Sequence, residues 1–184
     1  FFFRIYTLFL FLNLFSCSDT KNQIEIVDFN GFYSKIDLSK NTTYVINFWA
    51  TWCAPCVKEL PYFEFINKEY SSKNVSVILV SLDFPSQIET KLKPYIKRNN
   101  LKSNVILLDD SKMNIWIPKV SPDWDGGIPA TLIVNKSSYN FFPRPLKKLI
   151  ERIGILSGQT KDVAKLAVRP KCERILEICN MSHK

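Results

Sequence analysis

Cys53 and Cys56 stand two residues apart within NFWATWCAPCVKELP, residues 47–61. A C-x-x-C pair can cycle between dithiol and disulfide, supply half of a tetrahedral metal site, or pack as two small apolar side chains. A structural zinc site takes four ligands, usually two such pairs or one pair with histidines. The only histidine here is His183, and the later cysteines, Cys172 and Cys179, are seven apart. No metal site is expected from this set. Two cysteines at a corner beside Trp49 and Trp52 also make poor core fillers, so redox exchange is the chemistry the pair suits.

That chemistry depends on the elements that hold the pair. Residues 42–50, TTYVINFWA, form a near-continuous β-branched and aromatic run, the pattern of a strand buried on both faces. Residues 54–70 switch to helical spacing, with Val57, Leu60, Phe63, Ile66 and Tyr70 along one side. The dithiol therefore sits where a strand ends and a helix begins. Unpaired N–H groups and the helix dipole favour an anion at that point, so Cys53 is expected to be the attacking thiolate. Cys56, one turn further in and more buried, is expected to resolve the mixed disulfide that Cys53 forms. Ala54-Pro55 between them is compatible with a first helical turn.

The remaining pattern places this corner in a larger unit. IEIVDF (24–29) reads as a strand followed by a turn at Asn30-Gly31, and VSVILVSLD (75–83) as a second buried strand. SQIETKLKPYIKRNN (86–100) reads as an amphipathic helix interrupted by Pro94, NVILLDD (104–110) as a strand, and Met113–Ile117 as a helical turn. After the loop SPDWDGG (121–127), ATLIVN (130–135) and YNFFP (139–143) pair as a hairpin about 136–138, and residues 145–156 close as an amphipathic helix. Strands alternating with helices, then a hairpin and a helix, predict an α/β domain over 24–156 with a mixed central sheet and helices on both faces.

The 184 residues carry a net charge of +8, spread along the chain. No arginine-rich arm or helix-turn-helix accompanies it, so a solvated basic surface is expected and nucleic acid is not expected as a partner. Residues 1–17 read as a signal peptide: Phe1–Phe15 is almost entirely apolar, with Arg4 as its only charge, and is too short to span a bilayer comfortably. The run ends in Leu14-Phe15-Ser16-Cys17, which resembles a bacterial lipoprotein signal with Cys17 as the lipid site; the alternatives are an ordinary signal peptide or a short uncleaved anchor, in which Cys17 is incidental. Residues 18–23 form a polar linker. Export places the remaining cysteines where disulfides persist. In the extension 157–184, Cys172 and Cys179 fall on one face of a helix begun after Pro170. If that helix forms, a seven-residue advance of about 10.5 Å keeps them from bonding to each other, and they are expected as small apolar packers, with another chain or a metal as the alternative partners.

The segment FWATWCAPC resembles the active site of the thioredoxin superfamily, with Pro61 five residues after Cys56 where that family carries a helix-kinking proline. GGIPAT (126–131), just before the hairpin, resembles the family's cis-proline segment. The resemblance implies a thioredoxin-like fold and a cis Ile128–Pro129 bond facing the dithiol. It also implies an Ile128 backbone free to pair with an extended client. NFWATWC, the export signal and Glu59 make the chain similar to the exported TlpA/ResA-like group. Cytosolic thioredoxins bury an Asp where Asn47 stands; the resemblance gives Glu59 the proton-handling or partner-recognition role, against the plain alternative of a solvated helix acid. Trp52, Ala54, Pro55 and Ile128 are the expected docking residues, Trp49 is expected in the core, and Trp116 and Trp124 suit either place.

The resemblance implies a protein disulfide reductase of the cell envelope or periplasm, with no bound cofactor. Ala54-Pro55 offers no charge or hydrogen bond to overstabilise a thiolate, so a potential nearer about −270 than −120 mV is expected. Its substrates would be exported protein disulfides, cytochrome c apoproteins among them, and its electron donor a membrane thiol-shuttling protein. A lipid or signal anchor would hold it at the membrane. The competing classes are a thiol peroxidase and a non-enzymatic redoxin-fold adaptor.

Overall fold

The computed structural model describes residues 23–145. The signal segment, Cys17, residues 146–156 of the expected closing helix, and the extension with Cys172 and Cys179 lie outside the described residues. No described helix is long and apolar enough to cross a membrane.

Six strands form one mixed sheet in the order β1-β4-β3-β2-β5-β6. The strands are β1 Glu25–Val27, β2 Thr43–Trp49, β3 Val75–Ser81, β4 Asn104–Leu108, β5 Ala130–Asn135 and β6 Ser138–Phe142. The first four run parallel, and β5 and β6 are antiparallel to their neighbours. The helices are α1 Phe29–Tyr33, α2 Ala54–Tyr70, α3 Lys93–Arg98 and α4 Met113–Val120.

Period-two alternation along the buried β2 sorts the core into two layers. Val45 and Trp49 join Cys56, Leu60, Phe63 and Ile66 of α2 on one face. Tyr44, Ile46 and Phe48 join Phe29, Phe32, Trp116 and Trp124 on the other. Asn47 lies on the α2 face by the same alternation, a fully buried amide between two apolar residues.

The α/β class with helices on both faces stands as expected. Three local expectations are corrected. Asn30-Gly31 is no turn but the interior of α1, because the Asp28 side chain caps the helix by accepting from Gly31 N at 2.8 Å. The interrupted helix over 86–100 is a 3-10 turn at Pro85–Gln87, a π-helical stretch at Ile88–Leu92, and α3. Pro94 cannot donate to a carbonyl four residues back, and it falls in the first turn of α3, directly after the π-helical stretch. The helical turn at 113–117 runs on to Val120, with Trp116 seated between Phe29 and Trp124.

Candidate active site

β2, buried on both faces, delivers Trp49 to the C-terminal edge of the parallel strands. The chain then turns, Cys53 N donating to Ala50 O at 3.1 Å, and enters α2. Cys53 is the helix N-cap, and its sulfur accepts from Cys56 N at 3.3 Å. The sulfurs of Cys53 and Cys56 are joined as a disulfide across a Cα separation of 5.2 Å. Cys53 is 6 % exposed and Cys56 is fully buried. A helix N-terminus pointing its free N–H groups at the outer sulfur stabilises negative charge there once the disulfide is opened. Pro61 lies inside α2, where its missing N–H leaves the preceding turn one bond short.

Opposite the dithiol lies the loop before β5. The Ile128–Pro129 peptide is cis, and the Ile128 carbonyl oxygen stands 3.7 Å from the Cys53 sulfur. Trp124 fixes this loop from beneath: its indole N–H donates to Gly127 O at 2.8 Å, and its ring packs on Phe48 at 4.7 Å. Trp116 and Trp124 are therefore core, although the sequence left them open. Gly126 adopts φ +86° with Ile117 Cδ1 3.0 Å from where a Cβ would sit, so a side chain there meets both strain and contact.

Around the dithiol, Trp52 is 58 % exposed, Ala54 and Pro55 are exposed, and Ile128 is half-buried. Trp49 is buried. Glu59 is no solvated acid: it is 2 % exposed on the inner side of α2, one turn beyond Cys56. Its Oε1 accepts from Asn47 Nδ2 at 2.9 Å. The same amide nitrogen contacts Thr131 Oγ1 at 3.1 Å and the Ala130 carbonyl at 3.4 Å. One asparagine thus touches both the dithiol helix and the strand that follows Pro129.

A second polar cluster escaped the sequence reading. Asp83, 2 % exposed beyond β3, accepts from Thr51 N at 3.0 and 3.2 Å, from Thr51 Oγ1 at 2.6 Å and from Ser81 Oγ at 2.8 Å. It clamps the turn that carries Trp52 and Cys53. The available signal was Ser81 and Asp83 interrupting an apolar strand at its end; their partner, Thr51, is unreadable without the β2–β3 register. Among the described residues no three metal-ligating side chains cluster.

These features, a dithiol at a helix N-terminus facing a cis-proline loop on a mixed sheet, define a thioredoxin-like site of the thiol-disulfide oxidoreductase class. The chain belongs to the AhpC/TSA family, whose model matches residues 18–138. It is 30% identical over 139 residues to the thiol-disulfide oxidoreductase ResA of Bacillus cereus, spanning 74% of this chain and 68% of that protein. It is 34% identical over 74 residues to sporulation thiol-disulfide oxidoreductase A of Bacillus subtilis, spanning 40% and 44%. The fold is similar to that of a secreted thiol-disulfide isomerase from Corynebacterium glutamicum, with TM-score 0.50 and 23% identity over 63% of this chain and 72% of that one.

Proposed function

We propose that the chain is a protein disulfide reductase of the cell envelope, with Cys53 as nucleophile and Cys56 as resolving thiol. The observation that carries this reading is the placement of Cys53: sulfur at the N-cap of α2, 3.7 Å from the Ile128 carbonyl, beside the exposed Trp52. A backbone edge and an apolar side chain next to the nucleophile suit an extended, cysteine-bearing client more than a small molecule.

The reaction balances in two exchanges. The Cys53 thiolate attacks a client disulfide, forming the Cys53–client bond while the first client sulfur leaves and takes up a proton. Cys56 then gives its proton to the carboxylate of Glu59 and attacks the Cys53 sulfur. The mixed disulfide breaks, and the second client sulfur leaves as a thiolate that takes up the proton held by Glu59, which returns to its carboxylate form, while the first client sulfur takes its proton from water. The client gains two electrons and two protons, and the chain is left as the Cys53–Cys56 disulfide. An electron donor must then reduce it, and a membrane thiol-shuttling protein fits a site held at the envelope by Cys17 lipidation or a signal anchor. Trp52, Ala54, Pro55 and Ile128 form the docking rim. Exported disulfides are the substrate class, with cytochrome c apoproteins as one candidate client.

Insulin reduction with Cys53→Ser as control tests the activity, and Cys56→Ser should accumulate clients as mixed disulfides on Cys53. No reduction and no trapped species overturns the reading. Peroxide consumption without insulin reduction would replace it with a peroxidase.

A further inference from the structure

We propose that Asn47 is a positioning residue for Glu59, and that its side-chain amide turns over to bond the carboxyl in both protonation states. The inference rests on the proton-handling role given to Glu59. It starts from a mismatch. Asn47 is fully buried, its Nδ2 faces Glu59 Oε1, Thr131 Oγ1 and the Ala130 carbonyl, and its Oδ1 has no hydrogen-bond partner among the described residues. A buried acceptor left unpaired carries a desolvation cost that a packed core normally removes.

The orientation seen suits an ionised Glu59, since an amide N–H donates to a carboxylate oxygen. A protonated carboxyl adds an O–H donor to its remaining acceptor, and an N–H is the wrong partner when the proton sits on Oε1, the oxygen facing Asn47. Rotation of the amide by half a turn exchanges nitrogen and oxygen with almost no change of shape, so a close-packed site tolerates it. Oδ1 then accepts from the acid and from the Thr131 hydroxyl, while Nδ2 moves into the place where Oδ1 was unpaired. The turned amide gives up the Ala130 carbonyl contact and sets oxygen against oxygen there, a cost that the bond from the protonated carboxyl must outweigh, so the carboxyl's proton decides between the two arrangements. An aspartate at this position offers no N–H, and so cannot bond an ionised Glu59.

Among the described residues, the side chains placed near Glu59 come from α2, β2 and β5. Cys56 lies one turn back on α2, Asn47 comes from β2 and Thr131 from β5. On β2, Tyr44 points to the opposite face and bonds Asp37. Past the end of β3, Asp83 is taken up by Thr51 and Ser81. On α2 itself, Lys58 is exposed. Among the described residues, Cys56 is a titratable neighbour one turn from Glu59 and is placed to exchange a proton with it.

The test follows the Asn47 side-chain amide by NMR in the full oxidised chain, labelled at Asn nitrogen and Glu carboxyl carbon, across the acid pH range. The expected result is that the Asn47 ¹⁵N resonance shifts with the same midpoint as the Glu59 carboxyl carbon, and that this movement vanishes in Glu59→Gln. An amide that stays fixed while the carboxyl titrates overturns the proposal, as does a carboxyl that never titrates while the protein stays folded. Kinetics supply a second readout: Asn47→Leu should slow release of client from the mixed disulfide about tenfold and leave the first attack by Cys53 unchanged. Equal slowing of both steps would mark Asn47 as merely structural. Absence of insulin reduction by the unmodified chain would defeat the proposed function while leaving the NMR result standing, so the two failures are distinguishable.

Discussion

Glu59 and Asp83 are both buried carboxyls beside the dithiol corner, equally hidden from water, yet their surroundings differ in kind. Asp83 accepts from a backbone N–H and two hydroxyls at the ends of β2 and β3. Its donors are tied to strand ends and have nowhere else to point. Glu59 instead meets a rotatable amide and stands one turn from Cys56. The difference separates two uses of a buried acid: one fixes the turn that carries Cys53, and the other, on the proposed function, takes and returns a proton. Burial alone does not distinguish them; the chemistry of the donors does.

Removing Asp83 should sharpen this contrast most. Asp83→Ala strands the Thr51 and Ser81 donors inside the protein, and a loss of about 3 kcal/mol in unfolding free energy is expected. Denaturant titration checks it, and a loss below about 1 kcal/mol would mean that the clamp is dispensable. Glu59→Gln should do the reverse. Stability is expected to change by less than about 1 kcal/mol, because a neutral amide costs less to bury than a charged group. The release step from the mixed disulfide should slow about a hundredfold. Stopped-flow measurement of both exchanges decides this, and a variant that is unstable but fast would reverse the roles assigned to the two acids.

Smaller effects test the rim. Trp52→Ala touches no core contact and should leave stability within about 0.5 kcal/mol. It is expected to raise KM for a protein client several-fold while leaving reduction of a small aromatic disulfide unchanged. Equal loss on both substrates would remove Trp52 from docking. The smallest effect lies at high pH. Tyr95 packs on Trp49 at 5.5 Å, and its burial holds the phenol above its usual value of 10.0. With the folded-state value raised, the unfolded chain ionises first. The stability is thus fully present below pH 10 and declines as pH rises through the folded-state value. Thermal melts from about pH 9 to 11 should fall less steeply in Tyr95→Phe.

Much of the frame was legible because its signals are local. The apolar run of residues 43–49 marks β2, and the helical spacing from Leu60 to Tyr70 marks α2. The short cap at Asp28 misled because Asn-Gly is also the signature of a tight turn, and only packing of Phe29 and Phe32 into the core selects the helix. Exposure of Trp52 beside a buried Trp49 followed from one residue ending a buried strand and the other lying beyond it.

Spacing of the dithiol and its corner between strand and helix could be read from the residues alone, since both are written in a few consecutive positions, while the facing proline loop was implied by the family resemblance. What only the tertiary structure decided was the fate of the acids. Glu59 meets Asn47 twelve residues away and, through it, Thr131; Asp83 meets Thr51 thirty-two residues away. Those meetings depend on the registers of β2 with β3 and β5, which place Asn47 against Thr131 and bring Trp49 beside Ser81. A strand register is a property of paired chains, and a shift of one residue would turn Asn47 to the opposite face.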